Sequence, residues 1–400
     1  MIPVQVAIDI VLSEVGRLPS ESVGLADAVG SVLAQDIIAD TDLPPFDRSQ
    51  MDGFAVIAAD IENAPVTLPI VGESAAGHGW HFELSSDQAV RIMTGAPVPA
   101  GANAVQKVEL TEQSGLPDGQ IRMLEPVKVG ANIVRRGAEV KSGETIFSSG
   151  ELITPQMIAV LAAFGYASVT VAKSPRVGIL ATGSEIVPVD QKPGLDQIRN
   201  SNAPMLEALA ARCGAIARSL PLAEDDIDEL TASIADGLTK CDILIITGGV
   251  SVGKYDLTKP ALLQLGADIK FEKVSLKPGK PAVFATLCDK LIFGLPGNPV
   301  SAAVTFELFV RPAIMSLSGA SNRQSRAGHA VLSDAAKAAK GRDTYLPATL
   351  DTDRSGRLIV TPLRWQGSSD FIGFARAEAL IRIDAGQRLE RGDAAAILFL

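Results

Sequence analysis

The chain has 400 residues, and at about 150 residues per domain it is long enough for two or three domains. Its composition, 47% apolar and 20% charged residues, is typical of globular proteins and excludes a largely disordered chain. With a formal net charge of −10, the protein is not expected to bind nucleic acid or an anionic membrane non-specifically. An anionic substrate would therefore need a local cluster of lysines and arginines.

The N-terminal sequence, the apolar stretches and the cysteine spacing give no sign of export, of a membrane span or of a structural metal. The N-terminal apolar run lacks a preceding basic segment and is interrupted by Asp9, so we expect no signal peptide. The longest apolar stretches, such as residues 157–164, are shorter than the roughly 18 residues of a membrane span. The three cysteines are far apart, which disfavours a disulfide framework or a zinc site. These features predict a cytoplasmic enzyme or binding protein.

The first 40 residues carry apolar side chains at helical spacing. Residues 4–11 predict one helix, which Gly16 would end, and residues 25–33 repeat the pattern. A helical pattern returns at Thr154-Pro155, where Thr suits the N-cap and Pro the first helical position. We therefore expect residues 1–40 and 138–173 to form one helical linking domain.

Residues 41–137 have a different character. Gly, Pro and Val punctuate short predicted strands such as 66–71 and 104–110. This pattern predicts a β-rich domain inserted into the helical linking domain.

Residues 174–318 alternate between predicted strands and helices. This alternation predicts a doubly wound, mainly parallel α/β domain covered on both faces. The last part of the chain, 319–400, is a predicted β domain with a hairpin around 353–356 and a final strand at 394–400. In the α/β domain, strands are predicted at 176–181, 215–220, 242–247, 269–275 and 290–294, and helices at 203–212, 226–238, 258–265 and 300–316.

Three loops of the α/β domain are rich in small residues. They follow predicted strands at 181–185, 247–256 and 294–301, and ligands of open α/β sheets bind at such strand ends. Small residues let backbone N–H groups approach phosphate oxygens, and a helix N-terminus favours an anion. Each loop alone is also typical of an ordinary turn, but together they predict an anion site. Residues 248–254 nearly match a P-loop, yet Tyr255 replaces the metal-binding hydroxyl of an ATPase.

Charged residues accompany these loops. Glu185, Asp225 and Asp256 follow strand ends, and two or three carboxylates near phosphates would suit Mg²⁺. Asp225 is equally well explained as the N-cap of the next helix.

Cations are concentrated at two places. Lys273, Lys277 and Lys280 lie in or beside a turn that prolines and a glycine hold in an irregular conformation. Arg135 and Arg136 form a second pair. Both groups fit an anion site, and both also fit solvated loops.

Seven sequence motifs occur between residues 44 and 301 in an order that resembles the molybdopterin molybdenumtransferase family, which includes the E domain of gephyrin. The predicted four-part layout extends the resemblance over nearly the whole chain. Asn103 and Val134 depart from residues common in the family, and residues 366–368 resemble a family segment only loosely. The motifs are PPFDRSQMDGFAV, MTGAPVPAGANAV, GANIVRRGAE, ATGSEI, TGGVSVGKYD, KPGKP and GLPGNPVS.

The resemblance implies the last step of molybdenum cofactor synthesis. Adenylyl-molybdopterin and molybdate would be the substrates, and molybdenum-charged molybdopterin and AMP the products. The resemblance also implies Mg²⁺ dependence, a C-terminal domain like a β-barrel, and an elongated homodimer. In that family the cleft lies between the α/β domain of one subunit and the inserted and C-terminal domains of the other.

The resemblance also assigns residues, most of them in the motifs quoted above. The catalytic set includes the three candidate metal ligands, Glu185, Asp225 and Asp256, and adds Asp52 and Thr94. The substrate-binding set is Arg135, Arg136, Gly248, Gly249, Ser251, Gly253, Lys273, Lys277, Lys280, Pro296, Gly297, Asn298, Pro299 and Ser368.

Two other functions share part of this pattern. Molybdopterin adenylyltransferase, the preceding enzyme, has a related α/β domain but normally lacks the inserted domain and the tail. A scaffold role, as in gephyrin, would ordinarily need further domains or a long linker. Candidate protein partners are the adenylyltransferase and the molybdoenzymes that receive the cofactor, and we expect no nucleic acid or membrane partner.

Overall fold

The computed structural model describes residues 1–223, 226–249, 257–364 and 367–400. The chain divides into two compact units. The first consists of Met1–Gln35, Ser149–Ile158 and Ser168–Leu400, and the second of Asp36–Ser148 and Ala159–Ala167. The described α-helices are α1 (Val4–Glu14), α2 (Pro155–Ala163), α3 (Asn202–Arg212), α4 (Ile227–Lys240), α5 (Thr258–Gln264), α6 (Pro299–Leu317, with a π-helical segment at Phe306–Val310) and α7 (Phe371–Phe374).

The first unit contains an open sheet of six strands. In space the strands follow the order β2-β1-β3-β6-β5-β4, and the first four of these are mutually parallel. This confirms the predicted doubly wound, mainly parallel α/β domain. The strands are β1 (Arg176–Ala181), β2 (Ile216–Ser219), β3 (Ile243–Thr247), β4 (Asp268–Phe271), β5 (Val283–Leu287) and β6 (Lys290–Leu295).

Side chains of the central strand β3 alternate between two apolar cores. Ile243 and Ile245 pack with residues of α1, α3 and α6, whereas Leu244 and Ile246 pack with residues of α4 and α5. Successive side chains of a strand point to opposite faces, so this sheet is covered by helices on both sides. The unbroken apolar run of β3 follows from burial on both faces.

The sequence did not predict strand β5. It pairs antiparallel with both β4 and β6, and β5 and β6 are joined by a tight turn at Cys288, whose φ is 54°. The strand predicted at 269–275 correspondingly ends at Phe271. One antiparallel strand, β5, therefore lies between β6 and the edge strand β4 in an otherwise parallel sheet.

Among the residues that the structure describes, one helix, α6, is long and apolar enough to cross a membrane by length and composition. Of its most apolar stretch, 94% is buried inside the protein, as is typical of the core helix of a folded domain. The π-helical segment at its centre brings the buried Glu307 within 2.5 Å of Arg212.

The prediction of a second helix at residues 25–33 is wrong. Only Leu25–Asp27 is helical, as a single 3₁₀ turn, and Gly30 has a φ of 85° that interrupts any helix. Val32 and Leu33 are buried through antiparallel bridges to Leu152 and Val171. The spacing of these apolar residues therefore reflects their burial in an extended segment that pairs with distant residues, and not a helix. Nearby, the strand Ser20–Gly24 pairs with Ser168–Ala172.

Five strands near the C-terminus close into a barrel in the order β8-β9-β7-β11-β10 and back to β8. This closure confirms the predicted barrel-like domain, and β8 and β9 form the hairpin expected around residues 353–356. Two short strands, Leu276–Lys277 and Ala336–Lys337, pair respectively with β8 and with Arg388–Leu389. The barrel strands are β7 (Ala327–Leu332), β8 (Asp343–Thr352), β9 (Leu358–Pro362), β10 (Ala379–Ile383) and β11 (Ala394–Phe399).

The second unit is built mainly from β-strands, as expected for the inserted segment. Phe54, Leu68 and Met123 lie in one of its apolar cores. Two short strand pairs accompany the main sheet, Ile37–Ile38 with Thr145–Phe147 and Arg48–Ser49 with Ile133–Val134. The sheet follows the order Ala104–Lys107, Gly53–Val56, Ala89–Ile92, Val66–Ser74, Gln120–Met123 and Thr111–Glu112.

Candidate functional site

A crevice of about 1360 Å³ lies beyond the carboxyl ends of β1, β3 and β6. Open α/β sheets bind ligands at this edge. A second cavity of about 140 Å³, between α1, α6 and the barrel, shares no lining residue with it. The described residues that line the crevice are Ala181, Thr182, Gly183, Ser184, Glu185, Ile186, Val189, Pro193, Gln197, Ile198, Arg199, Asn200, Ser201, Asn202, Thr247, Gly248, Gly249, Pro281, Pro296, Gly297, Asn298, Pro299, Ser369 and Phe371.

Close approach of the loops after β1 and β3 requires a glycine at position 248. Gly248 has a φ of 99°, and a Cβ added there would lie 2.3 Å from the carbonyl oxygen of Thr182. Gly249, with a φ of 58°, continues the left-handed turn. At Gly297, after β6, the nearest atom to an added Cβ is 3.8 Å away, so that position tolerates a side chain. The contact between the loops therefore requires a glycine at position 248 but not at position 297.

Asn202, at the start of α3, links two of these loops. Its Nδ2 donates to the Thr247 hydroxyl and to the Gly297 carbonyl, both at 2.8 Å. A carbonyl only accepts hydrogen bonds, so the Gly297 contact fixes which side-chain atom is the nitrogen. The side chain is buried, and its Oδ1 has no hydrogen-bond partner within the described chain. Sequence reasoning missed this residue.

The N-terminus of α6 opens towards the crevice and is tied to the C-terminal segment. Asn298 is the N-cap and Pro299 the first helical residue. Asn298 Nδ2 donates to Ser368 Oγ at 2.9 Å, and the Ser368 carbonyl accepts from Val300 N at 3.3 Å. Asn298 and Ser368, both predicted site residues, are thus in direct contact. Pro299 has no N–H and Val300 N already donates to Ser368, so the helix dipole is the feature of this N-terminus that favours an anion.

The charged lining of the crevice is sparse. Glu185 is its single described carboxylate and Arg199 its single described cation. Glu185 is exposed and forms no ion pair with any residue that the structure describes, and its side chain lies over Gly183. Sequence reasoning also missed Arg199, although a basic residue in the segment entering α3 was a usable signal.

The lysine turn, residues 277–281, lies beside the crevice. Pro281 lines the crevice, whereas Lys273, Lys277 and Lys280 are not among its lining residues. Gly279 packs against α6, where an added Cβ would lie 2.6 Å from Thr305 Cγ2. Within the described ranges, neither Lys277 nor Lys280 forms an ion pair. The turn therefore holds two cations without neutralising them.

In the second unit, the structure brings two predicted catalytic residues together. Asp52 precedes the strand Gly53–Val56, and Thr94 follows the antiparallel neighbour Ala89–Ile92. Asp52 Oδ1 accepts from Thr94 N at 2.7 Å and from Thr94 Oγ1 at 2.8 Å. Hydrogen bonds from the Thr94 amide and then from its hydroxyl lower the pKa of Asp52 below its ordinary value. Asp52 is therefore an exposed, oriented anion at neutral pH.

Close packing of the sheet fixes the turn that carries Asp52. A Cβ added to Gly53 would lie 2.0 Å from the Gln106 carbonyl oxygen, so only glycine fits beside this strand. In the sequence Met51-Asp52-Gly53, Asp52 thus supplies the carboxylate, and Gly53 allows the chain to lie close against the neighbouring strand.

Arg135 and Arg136 are paired with carboxylates of the same unit. Arg135 is 2.5 Å from Asp47, and Arg136 is 2.5 Å from Asp42. Asp47 also accepts from the Arg136 amide at 2.8 Å. These pairs give both arginines a structural role, and their guanidinium groups remain half or more exposed.

Four predicted site residues, Asp225, Ser251, Gly253 and Asp256, lie outside the described residues. The N-cap of α4 is Asp226, whose carboxylate accepts from the amides of Asp228 and Glu229. Over the described ranges, no group of three His, Cys, Asp or Glu side chains is arranged to hold a metal ion.

Family models match most of the chain. "MoeA N-terminal region (domain I and II)" covers residues 2–165, "Probable molybdopterin binding domain" 178–316, and "MoeA C-terminal region (domain IV)" 329–400. A molybdopterin molybdenumtransferase of Bacillus subtilis is 39% identical over 92% of this chain and 87% of its own length. The chain belongs to the molybdopterin molybdenumtransferase family. It is accordingly an enzyme of molybdenum cofactor biosynthesis.

Other relatives support the same family assignment. A molybdopterin molybdenumtransferase of Staphylococcus aureus strain COL is 34% identical over 97% of this chain and 92% of its own length. The crystal structure of a molybdopterin biosynthesis MoeA protein from Pyrococcus horikoshii OT3 matches with a TM-score of 0.86, 29% identity and complete coverage of both chains. The matches to the N-terminal and C-terminal regions favour this family over the adenylyltransferase, which normally lacks them.

Proposed function

We propose that the protein inserts molybdenum into adenylyl-molybdopterin, using molybdate and releasing AMP. The observation that supports this proposal is the glycine-lined crevice at the carboxyl ends of β1, β3 and β6, inside the region that matches the molybdopterin-binding family model. Its volume of about 1360 Å³ exceeds that of most small-molecule pockets, which measure about 300–1,000 Å³. An elongated substrate that joins a pterin to a nucleotide fits such a crevice.

Cleavage of the phosphoanhydride requires positioning and charge stabilisation more than a covalent nucleophile. The helix dipole at the N-terminus of α6 would stabilise phosphate charge, and the backbone N–H of Gly249 would donate to a phosphate oxygen. Lys277 and Lys280, which lack described ion-pair partners, would stabilise the charge of the departing AMP. Two sulfur atoms of the substrate bind the molybdenum in the product, so the protein need not supply a cysteine ligand.

We assign Mg²⁺ to the Glu185 side of the crevice. An exposed carboxylate that is not engaged by a cation suits this hard, oxygen-seeking ion, and Mg²⁺ commonly binds through one or two carboxylates plus substrate phosphates. Asp225 and Asp256 are the further carboxylates that the family resemblance suggests. Mg²⁺ held there would neutralise charge on the anhydride.

Asp52 and Thr94 form the second part of the proposed machinery. We infer a homodimer in which these residues of one subunit serve the α/β domain of the other, as the family resemblance implies. Molybdate, a tetrahedral dianion, would bind to cations and backbone donors, for which Arg135, Arg136 and Ser368 are candidates. The cytoplasm is the proposed location, and the adenylyltransferase and recipient molybdoenzymes are the proposed protein partners.

Release of AMP from adenylyl-molybdopterin tests the function. We expect purified protein with Mg²⁺ to release AMP when molybdate is added, and sulfate, another tetrahedral dianion, to serve as the matched control. Molybdenum should then copurify with molybdopterin. AMP release that is indifferent to molybdate would refute the proposal. Formation of adenylyl-molybdopterin from ATP and molybdopterin would instead identify the preceding enzyme.

A further inference from the structure

The crevice offers little positive charge for an anionic substrate. Of the residues described along its walls, only Arg199 is cationic, and the nearby Lys273, Lys277 and Lys280 are not lining residues. The whole chain carries a net charge of −10, so its long-range field repels a polyphosphate. Arg199 is therefore the described lining side chain that is suited to pair with a phosphate group.

Backbone pairing holds Arg199 next to the loop that carries Glu185. The strand Ile198–Arg199 runs parallel to Ile186–Val187, with Ile198 N donating to the Glu185 carbonyl at 2.8 Å. Asn200 N donates to the Val187 carbonyl at 2.9 Å on the other side of Arg199. Both neighbours of Arg199 are thus hydrogen-bonded, which fixes the point from which its side chain extends.

Part of the guanidinium group is already oriented. Arg199 Nε donates to the Gln191 carbonyl at 3.0 Å. Asp190 and Asp196 belong to the same loop, yet Arg199 forms no ion pair with them or with any other described residue. Its two terminal nitrogens are therefore available, and they form the fork that binds two oxygens of one phosphate.

We propose that Arg199 binds a phosphate group of the substrate in the crevice, through two parallel hydrogen bonds from its terminal nitrogens. This inference rests on the proposed function, because it takes the substrate to carry the phosphoanhydride. It assigns Arg199 to substrate binding in the segment that enters α3, a segment that none of the seven sequence motifs includes.

Binding of inorganic pyrophosphate, measured by calorimetry with Mg²⁺ present, tests this assignment. Arg199→Gln removes the fork, and Arg199→Lys keeps the charge without the two-point geometry. Lys192→Gln is the matched control, because Lys192 lies in the same exposed loop but not along the crevice. Each Gln substitution removes one positive charge and so changes the formal net charge from −10 to −11.

We expect Arg199→Gln to weaken pyrophosphate binding about tenfold or more at low ionic strength, and Lys192→Gln to weaken it by less than about twofold. Arg199→Lys should fall between wild type and Arg199→Gln. Equal losses in the two Gln variants would indicate only a long-range field and overturn the assignment, as would unchanged binding by Arg199→Gln or no pyrophosphate binding by wild type. Molybdate-dependent AMP release by wild type reports separately on the proposed function, so the two failures are distinguishable.

Discussion

At the scale of single residues, Asn202 holds two loops of the crevice with one amide group. We expect Asn202→Ala to lower the free energy of unfolding by about 1–2 kcal/mol, because the Thr247 hydroxyl and Gly297 carbonyl lose a donor. The same change should raise KM for adenylyl-molybdopterin. Denaturant unfolding and steady-state kinetics measure the two effects.

A matched control for this prediction is Asn132→Ala in the second unit. Asn132 Nδ2 donates to the Val105 carbonyl at 2.8 Å, and its φ of 57° is a left-handed conformation that alanine disfavours, so Asn132→Ala should also reduce stability. Asn132 lies outside the crevice lining, and KM should stay near the wild-type value. If both variants leave KM unchanged, Asn202 serves stability alone.

The Asp52–Thr94 contact gives a prediction about proton affinity. Thr94→Val removes the hydroxyl donor but keeps the amide, so the pKa of Asp52 should rise towards its ordinary value of 3.8. Because the wild-type pKa lies below that value, wild-type Asp52 should take up its proton at a lower pH than the variant does. Carbon-13 NMR of the Asp52 carboxyl measures both titrations.

Thr94→Ser retains a hydroxyl and is the control for Thr94→Val. We expect the serine variant to keep the low pKa and most of the activity, and the valine variant to lose activity if Asp52 must be held in one orientation. Identical titration of Asp52 in the two variants would show that the hydroxyl does not stabilise the carboxylate.

At the scale of elements, the loops after β1 and β3 meet because position 248 has no side chain. Gly248→Ala places a methyl group against the Thr182 carbonyl in a left-handed conformation. We expect a loss of about 2 kcal/mol or more in stability, measured by denaturant unfolding. Gly297→Ala is the control, because an added Cβ there has open space, and it should change stability by less than about 0.5 kcal/mol. Equal effects would contradict this account of the loops.

The lysine turn is an element anchored at both sides, since Leu276–Lys277 pairs with β8 and Gly279 packs on Thr305. Lys277→Ala and Lys280→Ala should each weaken binding of adenylyl-molybdopterin, and the effect should shrink at high ionic strength because salt screens exposed charges. Lys240→Ala on α4 removes the same charge away from the crevice and serves as control. If none of the three substitutions changes the affinity for adenylyl-molybdopterin, Lys277 and Lys280 do not belong to the substrate site.

Element prediction from the sequence succeeded where a local pattern had one structural meaning. The helix at Val4–Glu14 and the strand at Arg176–Ala181 follow their apolar periodicity. Residues 25–33 show the opposite case, because burial through distant bridges produced helical spacing without a helix. Strand β5 was missed because its hairpin breaks the strand–helix alternation.

At the scale of the whole molecule, a homodimer with composite sites makes a complementation prediction. Asp52→Asn and Asp256→Asn should each be nearly inactive as homodimers. Unfolded together in equal amounts and refolded, they would form about half heterodimers, each with one wholly wild-type and one doubly damaged site. AMP release should therefore recover to roughly a quarter of the wild-type rate. Verified heterodimers without activity would mean that both carboxylates serve one subunit's site.

By itself, the sequence determined the family resemblance, the β-rich insertion, the α/β alternation and the C-terminal β domain. These depend on periodicity, on turn residues and on ordered motifs, which are properties of short stretches of chain. Only the tertiary structure decided that Asp52 meets Thr94, 42 residues away, and that Asn202 joins groups 45 and 95 residues away. The physical reason is that a polar side chain's role depends on the donors and acceptors that folding brings to it, and no local pattern encodes partners so distant.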